Sequence, residues 1–263
     1  MTEPGAGAIR LRREAGAAGA VAHVTIDRPR KRNALGRILL QELRAVLQSL
    51  AGEPNLRAVV LAGAGRGFVG GADIDDMAGL DADSARAFIT HVHGCCRALR
   101  ELPVPVIARV HGFAFGAGLE LAASCDLRVA AEDALFGMPE VRLGIPSVVE
   151  AALLPGLVGW GRAREILLLG ETFSAAEAAA WGLVEQVVPE TGLEAAVERW
   201  LAALLRNGPQ AVRLQKRLIG DWQRLPLDAA IGAGVDAFAA AYATDEPQRL
   251  MADFRAAKRA RRS

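Results

Sequence analysis

Hydrophobic spacing divides the chain into a strand-rich part and an all-helical part. Residues 21–26 alternate apolar and polar as a half-buried strand does, and 57–62 and 106–110 are short apolar runs suited to buried strands. Residues 35–51 place Leu39, Leu43, Val46, Leu47 and Leu50 on one side of a helix. Residues 84–102 do the same with Phe88, Ile89, Val92 and Leu99. Further helices are expected around 151–154 and 161–169, and Ser174 with Glu177 three positions later spells a capping box. Residues 184–189 read as a last strand, and from Leu193 onward the pattern is helical through to about residue 260. Residues 1 to about 20 are rich in Gly and Ala and are expected to be loose only in part, with Ile9, Arg10 and Leu11 a short edge strand. This predicts an α/β fold with a core over residues 1–195 and a helical region over 196–263.

The chemistry concentrates in residues 105–140. The strand at 106–110 runs into a turn carrying Gly112, Gly116 and Gly118, and a helix is predicted to start at about Ala117. The first N–H groups of that helix have no partner within it, so an oxyanion is favoured there. Glu120 lies in the first turn among Leu119, Leu121, Ala122 and Ala123, and Glu140 follows the next strand-like segment. Strand, glycine turn and helix is also the commonest event in any α/β protein, and a first-turn Glu often only answers the helix dipole. A carboxylate inside an apolar helix face, however, is expensive to bury without a partner or a task. A second glycine loop follows the strand at 57–62, reading GAGRGFVGGADI over 63–74. It lacks the Gly-Lys-Ser/Thr ending of a P-loop and the dinucleotide spacing. What it offers is bare backbone at a strand end, and two such ends can share one oxygen as an oxyanion hole.

Composition narrows the field. Thirty-one basic against thirty acidic residues leave a net charge of +1, which argues against nucleic acid and membrane as partners. The loop holding Arg28, Arg30, Lys31 and Arg32 is either a solvated surface or a docking site for phosphates. Cys95, Cys96 and Cys125 lack metal spacing and read as small buried thiols, which suits a reducing, cytoplasmic setting. His91 and His93 point to different helix faces and cannot chelate one metal, and His23 and His111 read as packed neutral rings. No metal site is expected. No Gly-x-Ser-x-Gly elbow, signal peptide or transmembrane run is found, and the Lys258, Arg259, Arg261 and Arg262 run reads as a solvated tail.

Residues 110–122 (VHGFAFGAGLELA), preceded by FVGGADI at 68–74 and followed by MPE at 138–140, closely resemble the enoyl-CoA hydratase/isomerase (crotonase) superfamily. The similarity runs from DRP at 27–29 to the C-terminal helices. It implies a spiral of ββα units, a C-terminal helical trimerisation region, and a homotrimer or a homohexamer built as a dimer of trimers. It also implies hydration of the α,β double bond of an enoyl-CoA thioester, with the N–H groups of Ala72 and Ala117 as the oxyanion hole. Glu120 matches the acid that handles the water and Glu140 the acid that serves the α-carbon. Arg30, Arg32, Ala34, Asp73 and Ile74 match positions along the coenzyme A, and Gly70, Met77, Gly116, Pro139, Leu143 and Gly144 complete the substrate contacts that the resemblance implies. Coenzyme A belongs to the substrate, and no cofactor is implied. A departure stands at 146–150, where PSVVE replaces a Pro-Gly-x-Gly-Gly-Thr type of stretch. An isomerase or another acyl-CoA enzyme of the same fold remains open, as does, more remotely, a non-enzymatic RNA-binding relative.

Overall fold

Two nine-residue strands, β1 (Ala8–Gly16) and β2 (Gly19–Asp27), open the chain as an antiparallel hairpin in register from Ala8↔Asp27 to Gly16↔Gly19. A computed structural model describes residues 8–260. The partly loose N-terminus expected up to about residue 20 is thus corrected from Ala8 onward. Pairing with β2 satisfies the backbone, and Ile9 and Leu11 pack against the core. Residues 1–7 of that expectation lie outside the described part.

The chain continues through α1 (Arg37–Ala51), β3 (Leu56–Gly63), α2 (Ile74–Met77), α3 (Ala82–Glu101), β4 (Val106–Val110), β5 (Phe113–Phe115) and α4 (Ala117–Ala123). Then come β6 (Leu127–Ala131), β7 (Leu135–Gly137), α5 (Leu154–Leu169), β8 (Thr172–Ser174), α6 (Ala175–Ala180) and β9 (Gln186–Val188). Helices α7 (Leu193–Arg206), α8 (Pro209–Trp222), α9 (Leu227–Ala241) and α10 (Glu246–Ala260) close the chain. One sheet has the order β1-β2-β3-β4-β6-β9, parallel except at β1, and a second, smaller sheet has the order β5-β7-β8. Each turn of the fold feeds both sheets. β4 lies in the large sheet, β5 in the small one, and α4 packs behind them; β6 and β7 repeat the step. This is the ββα spiral that the resemblance implies.

The core explains the apolar runs. β3 and β4 are covered on both faces, α1 contributes Leu39, Leu40, Leu43, Leu47 and Leu50, and α3 contributes Phe88, Val92 and Leu99. Cys95, Cys96 and Cys125 are free and buried, and burial pushes the thiols of Cys95 and Cys125 up to about 12, so they pack as small apolar groups. His111 is buried with Nε2 2.8 Å from the Gly65 carbonyl oxygen, and burial lowers His23 below its ordinary range, in keeping with a packed neutral ring at His23.

Three sequence expectations shift. The helix foreseen at 151–154 is a 3-10 turn, Val149–Leu153, which runs on into α5; α5 itself bends at Gly159, whose φ is +76°. The change to a separate helical region falls later than residue 195. Leu193, Ala196, Val197 and Leu201 of α7 are in the main core, and Arg57 donates to the carbonyls of Leu204 and Asn207, tying the end of α7 to β3. The basic tail is in part helical. Lys258 and Arg259 form the last turn of α10, while Arg261 and Arg262 lie outside the described residues. Beyond α7, Lys216 anchors α8 by donating to Asp126 and to the carbonyls of Leu99 and Val104, whereas α9 buries only Ala230. Among the described residues no helix is long and apolar enough to cross a membrane.

Candidate active site

Two glycine-hinged loops run side by side at one edge of the core. Val69 bridges Ala114 in parallel, and Phe115 N–H donates to Val69 O at 3.0 Å. Three residues further along each segment come Ala72 and Ala117. Gly71 (φ +112°) and Gly116 (φ +50°) turn the two backbones in a region closed to most side chains. A Cβ on Gly116 would lie 4.0 Å from Gly71 Cα and would overlap Glu140 Oε1. The two turns therefore face each other, with the Glu140 carboxylate against Gly116.

Hydrogen bonding on one side of Ala72 decides where its own N–H goes. Leu35 N–H donates to Gly71 O at 2.8 Å, and Asp73 N–H donates to Leu35 O at 3.0 Å. In extended backbone the residue between them directs its N–H the other way, away from Leu35. Ala117 is the first residue of α4, and Gly116 O is already taken by Glu120 N–H at 3.0 Å. Neither the Ala72 nor the Ala117 N–H has a hydrogen-bond acceptor among the described residues. Two free donors at adjacent strand ends can bind one carbonyl oxygen and favour it more as it gains charge.

Two carboxyls flank these donors. Glu120 is 4% exposed, on the first turn of α4, and its Oε1 accepts the Ala151 N–H at 3.1 Å. Burial, with the nearby charges of Glu140 and Glu150 adding to it, pushes its carboxyl up to about 8 against the pull of the Ala151 N–H. Glu140 is half-buried in the 3-10 turn Pro139–Leu143 and accepts a hydrogen bond from Ser147 Oγ at 2.8 Å. Two acids in unlike surroundings can hold opposite protonation states.

The other positions expected from the sequence sort into three groups. Arg30 and Arg32 are exposed and make no ion pair among the described residues, so their cations are available to an anion. The Arg32 carbonyl accepts Gly70 N–H at 2.9 Å, which joins the basic loop to the glycine loop. Asp73 is buried and engaged. It pairs with Arg28 at 2.5 Å and Lys31 at 3.4 Å and accepts Asp75 N–H as the N-cap of α2. Its side chain braces the loop, and the Arg28 bond helps hold its carboxyl below the usual range despite burial. Arg28 also donates to the carbonyl of Ala34, and Ile74 and Met77 on α2 sit just beyond. Pro139, Leu143 and Gly144 share the Glu140 turn and not the basic loop; Leu143 is exposed, and Gly144 ends the turn at φ +77°.

Asn33 escaped the sequence reading. It is fully buried at φ +57°, and its Nδ2 donates to the carbonyls of Ala64, Gly67 and Phe68 at 2.8, 2.9 and 3.0 Å while Oδ1 accepts Arg28 N–H at 2.8 Å. One amide thus ties the basic loop to the loop that carries Ala72. An Asn beside basic residues at a turn was the available signal, because Asn tolerates the left-handed region. Glu150 was likewise noted only as part of an unusual stretch, yet it is buried close enough to Glu120 to affect its charge.

Comparison with known proteins identifies the relatives of this chain. The family model described as enoyl-CoA hydratase/isomerase matches residues 16–260. The chain is 37% identical over 238 residues to the short-chain-enoyl-CoA hydratase of Clostridium acetobutylicum, covering 90% of this chain and 91% of that one. It is 37% identical over 231 residues to the crotonyl-CoA hydratase of Syntrophomonas wolfei, covering 87% and 89%. The crystal structure of an enoyl-CoA hydratase from Bacillus anthracis superposes with a TM-score of 0.88 at 34% identity over 94% of this chain and 95% of that one.

Proposed function

The chain belongs to the enoyl-CoA hydratase/isomerase family, and from that premise we propose how its residues hydrate an enoyl-CoA thioester. The thioester oxygen accepts from the N–H groups of Ala72 and Ala117. Electron density then drains from the conjugated double bond, and the β-carbon becomes open to water. Glu120 orients the water and takes its proton as the oxygen bonds to the β-carbon; Glu140 delivers a proton to the α-carbon of the resulting enolate. The reaction is redox-neutral, and its charge is met by main-chain donors and two carboxyls, so we expect it to need no cofactor beyond the coenzyme A of the substrate.

The observation that carries this reading is the pair of acids around Gly116: Glu120 buried and raised to about 8, Glu140 against the glycine itself. In the free protein the electrostatics favour a proton on Glu120, whereas the chemistry asks Glu140 to give one. Glu120 must therefore lose its proton before it can take one from water, so its ionised form is the one that acts. Paired acids also favour hydration over double-bond migration, which needs one principal base. Arg30 and Arg32 suit the phosphates of coenzyme A, since both are exposed and without an ion pair among the described residues. The exposed apolar side of α9 supports a homotrimer or homohexamer. Three buried free thiols suit a cytoplasmic enzyme.

Incubation with crotonyl-CoA should bleach the conjugated-thioester absorbance. No loss with crotonyl-CoA or longer enoyl-CoA chains, in a protein that still binds coenzyme A, would retire the proposal. The pH profile gives a second check. Glu120 must be ionised to accept the proton of water, so kcat/KM should be low below pH 8 and rise as pH rises through about 8.

A further inference from the structure

Behind Glu120 lies a third acid to which the proposed reaction gives no task. Glu150 is 3% exposed in the Val149–Leu153 turn. Its Oε1 accepts from Arg100 Nη2 at 2.7 Å and lies 2.9 Å from His93 Nδ1. Those two residues are two helical turns apart on α3 and so share a face. The other oxygen, Oε2, is buried without a hydrogen-bond partner among the described residues. An ion pair kept only for stability would be expected to satisfy both oxygens, because an unpaired buried acceptor carries a cost.

The backbone around Glu150 is committed as well. Val149 has φ +42°, a strained conformation for a β-branched residue. Ala151 gives its N–H both to Val148 O at 2.9 Å and to Glu120 Oε1 at 3.1 Å. The turn that sends the Glu150 side chain to α3 therefore also aims an N–H at Glu120.

We propose that Glu150 is a positioning residue for Glu120: anchored to α3 through Arg100 and His93, it holds the strained turn that presents the Ala151 N–H, and it fixes a negative charge beside the Glu120 carboxyl. The catalytic meaning of this role rests on the hydratase reading; the geometry does not. Glu120 is faced by Glu140 from the Pro139–Leu143 turn, by Glu150 and the Ala151 N–H from the next turn, and by the Cys96 thiol from α3, while Ser124 on its own helix bonds the Glu120 carbonyl. Glu150 is faced by Arg100, His93 and Cys96, all from α3. Removing the Glu150 charge takes away one of the two anions that disfavour ionised Glu120, so the Glu120 carboxyl should titrate lower.

Glu150→Gln keeps the shape and an acceptor for Arg100 while removing the charge. Carboxyl carbon NMR on the full chain, with the Glu120 signal assigned by its loss in Glu120→Gln, should show the Glu120 midpoint falling by about half a unit or more. The rising limb of kcat/KM for crotonyl-CoA should move to lower pH with it, with the plateau kcat reduced several-fold and KM little changed. The double variant Arg100→Gln/Glu150→Gln removes both charges of the pair, leaves no stranded arginine, and should show the same downward shift. An unmoved Glu120 midpoint in the variants overturns the proposal. A shifted midpoint in a protein that hydrates no enoyl thioester upholds it and overturns the hydratase reading instead.

Discussion

The loops around Gly71 and Gly116 and the helices after α7 break the same rule in opposite directions. Near the glycines, polar groups are buried: Glu120, Asn33, Asp73 and Glu150 all lie inside. Along α9, large apolar groups face outward, with Leu227, Ile231, Val235 and Phe238 all more than half exposed. Buried polar groups cost free energy unless something returns it, and at the candidate site most are bonded or act on a neighbouring charge. Exposed apolar groups at helical spacing cost little in an isolated chain but form a stripe that a second surface can cover. The first exception lies where the proposed chemistry sits, and the second leaves an apolar stripe on the outer side of α9. α7 marks the boundary between them, since it packs on the sheet while α9 leans on α8.

If this contrast is sound, changes in the first region should be felt in turnover and changes in the second in assembly. The largest effect is expected from Glu140→Gln. It should lower kcat by roughly 100-fold or more while leaving KM nearly unchanged, because the acid acts in the transition state; steady-state kinetics at pH 7 would reveal it, and unchanged turnover would remove Glu140 from the mechanism. Asn33→Ala comes next. Losing the four bonds that join the basic and glycine loops should cost on the order of 3 kcal/mol in urea unfolding and lower turnover by misplacing Ala72. A stable variant with normal kinetics would show that the loops hold their places without it. The smallest effect on chemistry is expected from Leu227→Ser/Phe238→Ser. Sedimentation should show a smaller particle, with turnover per chain in the dissociated species falling only modestly. An unchanged particle size would sever the link between the exposed stripe and assembly.

Legibility from sequence differed between these regions for physical reasons. Local backbone demands can be read one residue at a time, and the helix start at Ala117 with Gly116 before it was found where the glycine spacing put it. The capping box at Ser174 and Glu177 was equally local. Glu120 stood out because a carboxylate amid Leu119, Leu121 and Ala122 breaks the apolar pattern. Asn33 and Glu150 did not stand out. The partners are 31 or more residues away for Asn33 Nδ2 and 50 or more for Glu150, so the chain nearby gives Asn33 only its place at a turn and gives Glu150 no signal. The pairing of the Asp73 carboxylate with Arg28 spans 45 positions and could not be read locally.

Short-range chemistry in the chain was enough to determine the strand and helix periods, the glycine turns and the oddity of Glu120 on an apolar helix face, since each depends on neighbours within about one helical turn. Only the folded structure decided that the loops leading to Ala72 and Ala117 run side by side, that the first strand pairs along its whole length, and that burial pushes the Glu120 carboxyl up to about 8. Those facts depend on burial and on charges brought together from distant segments, and neither burial nor distance is a property of a linear string of residues.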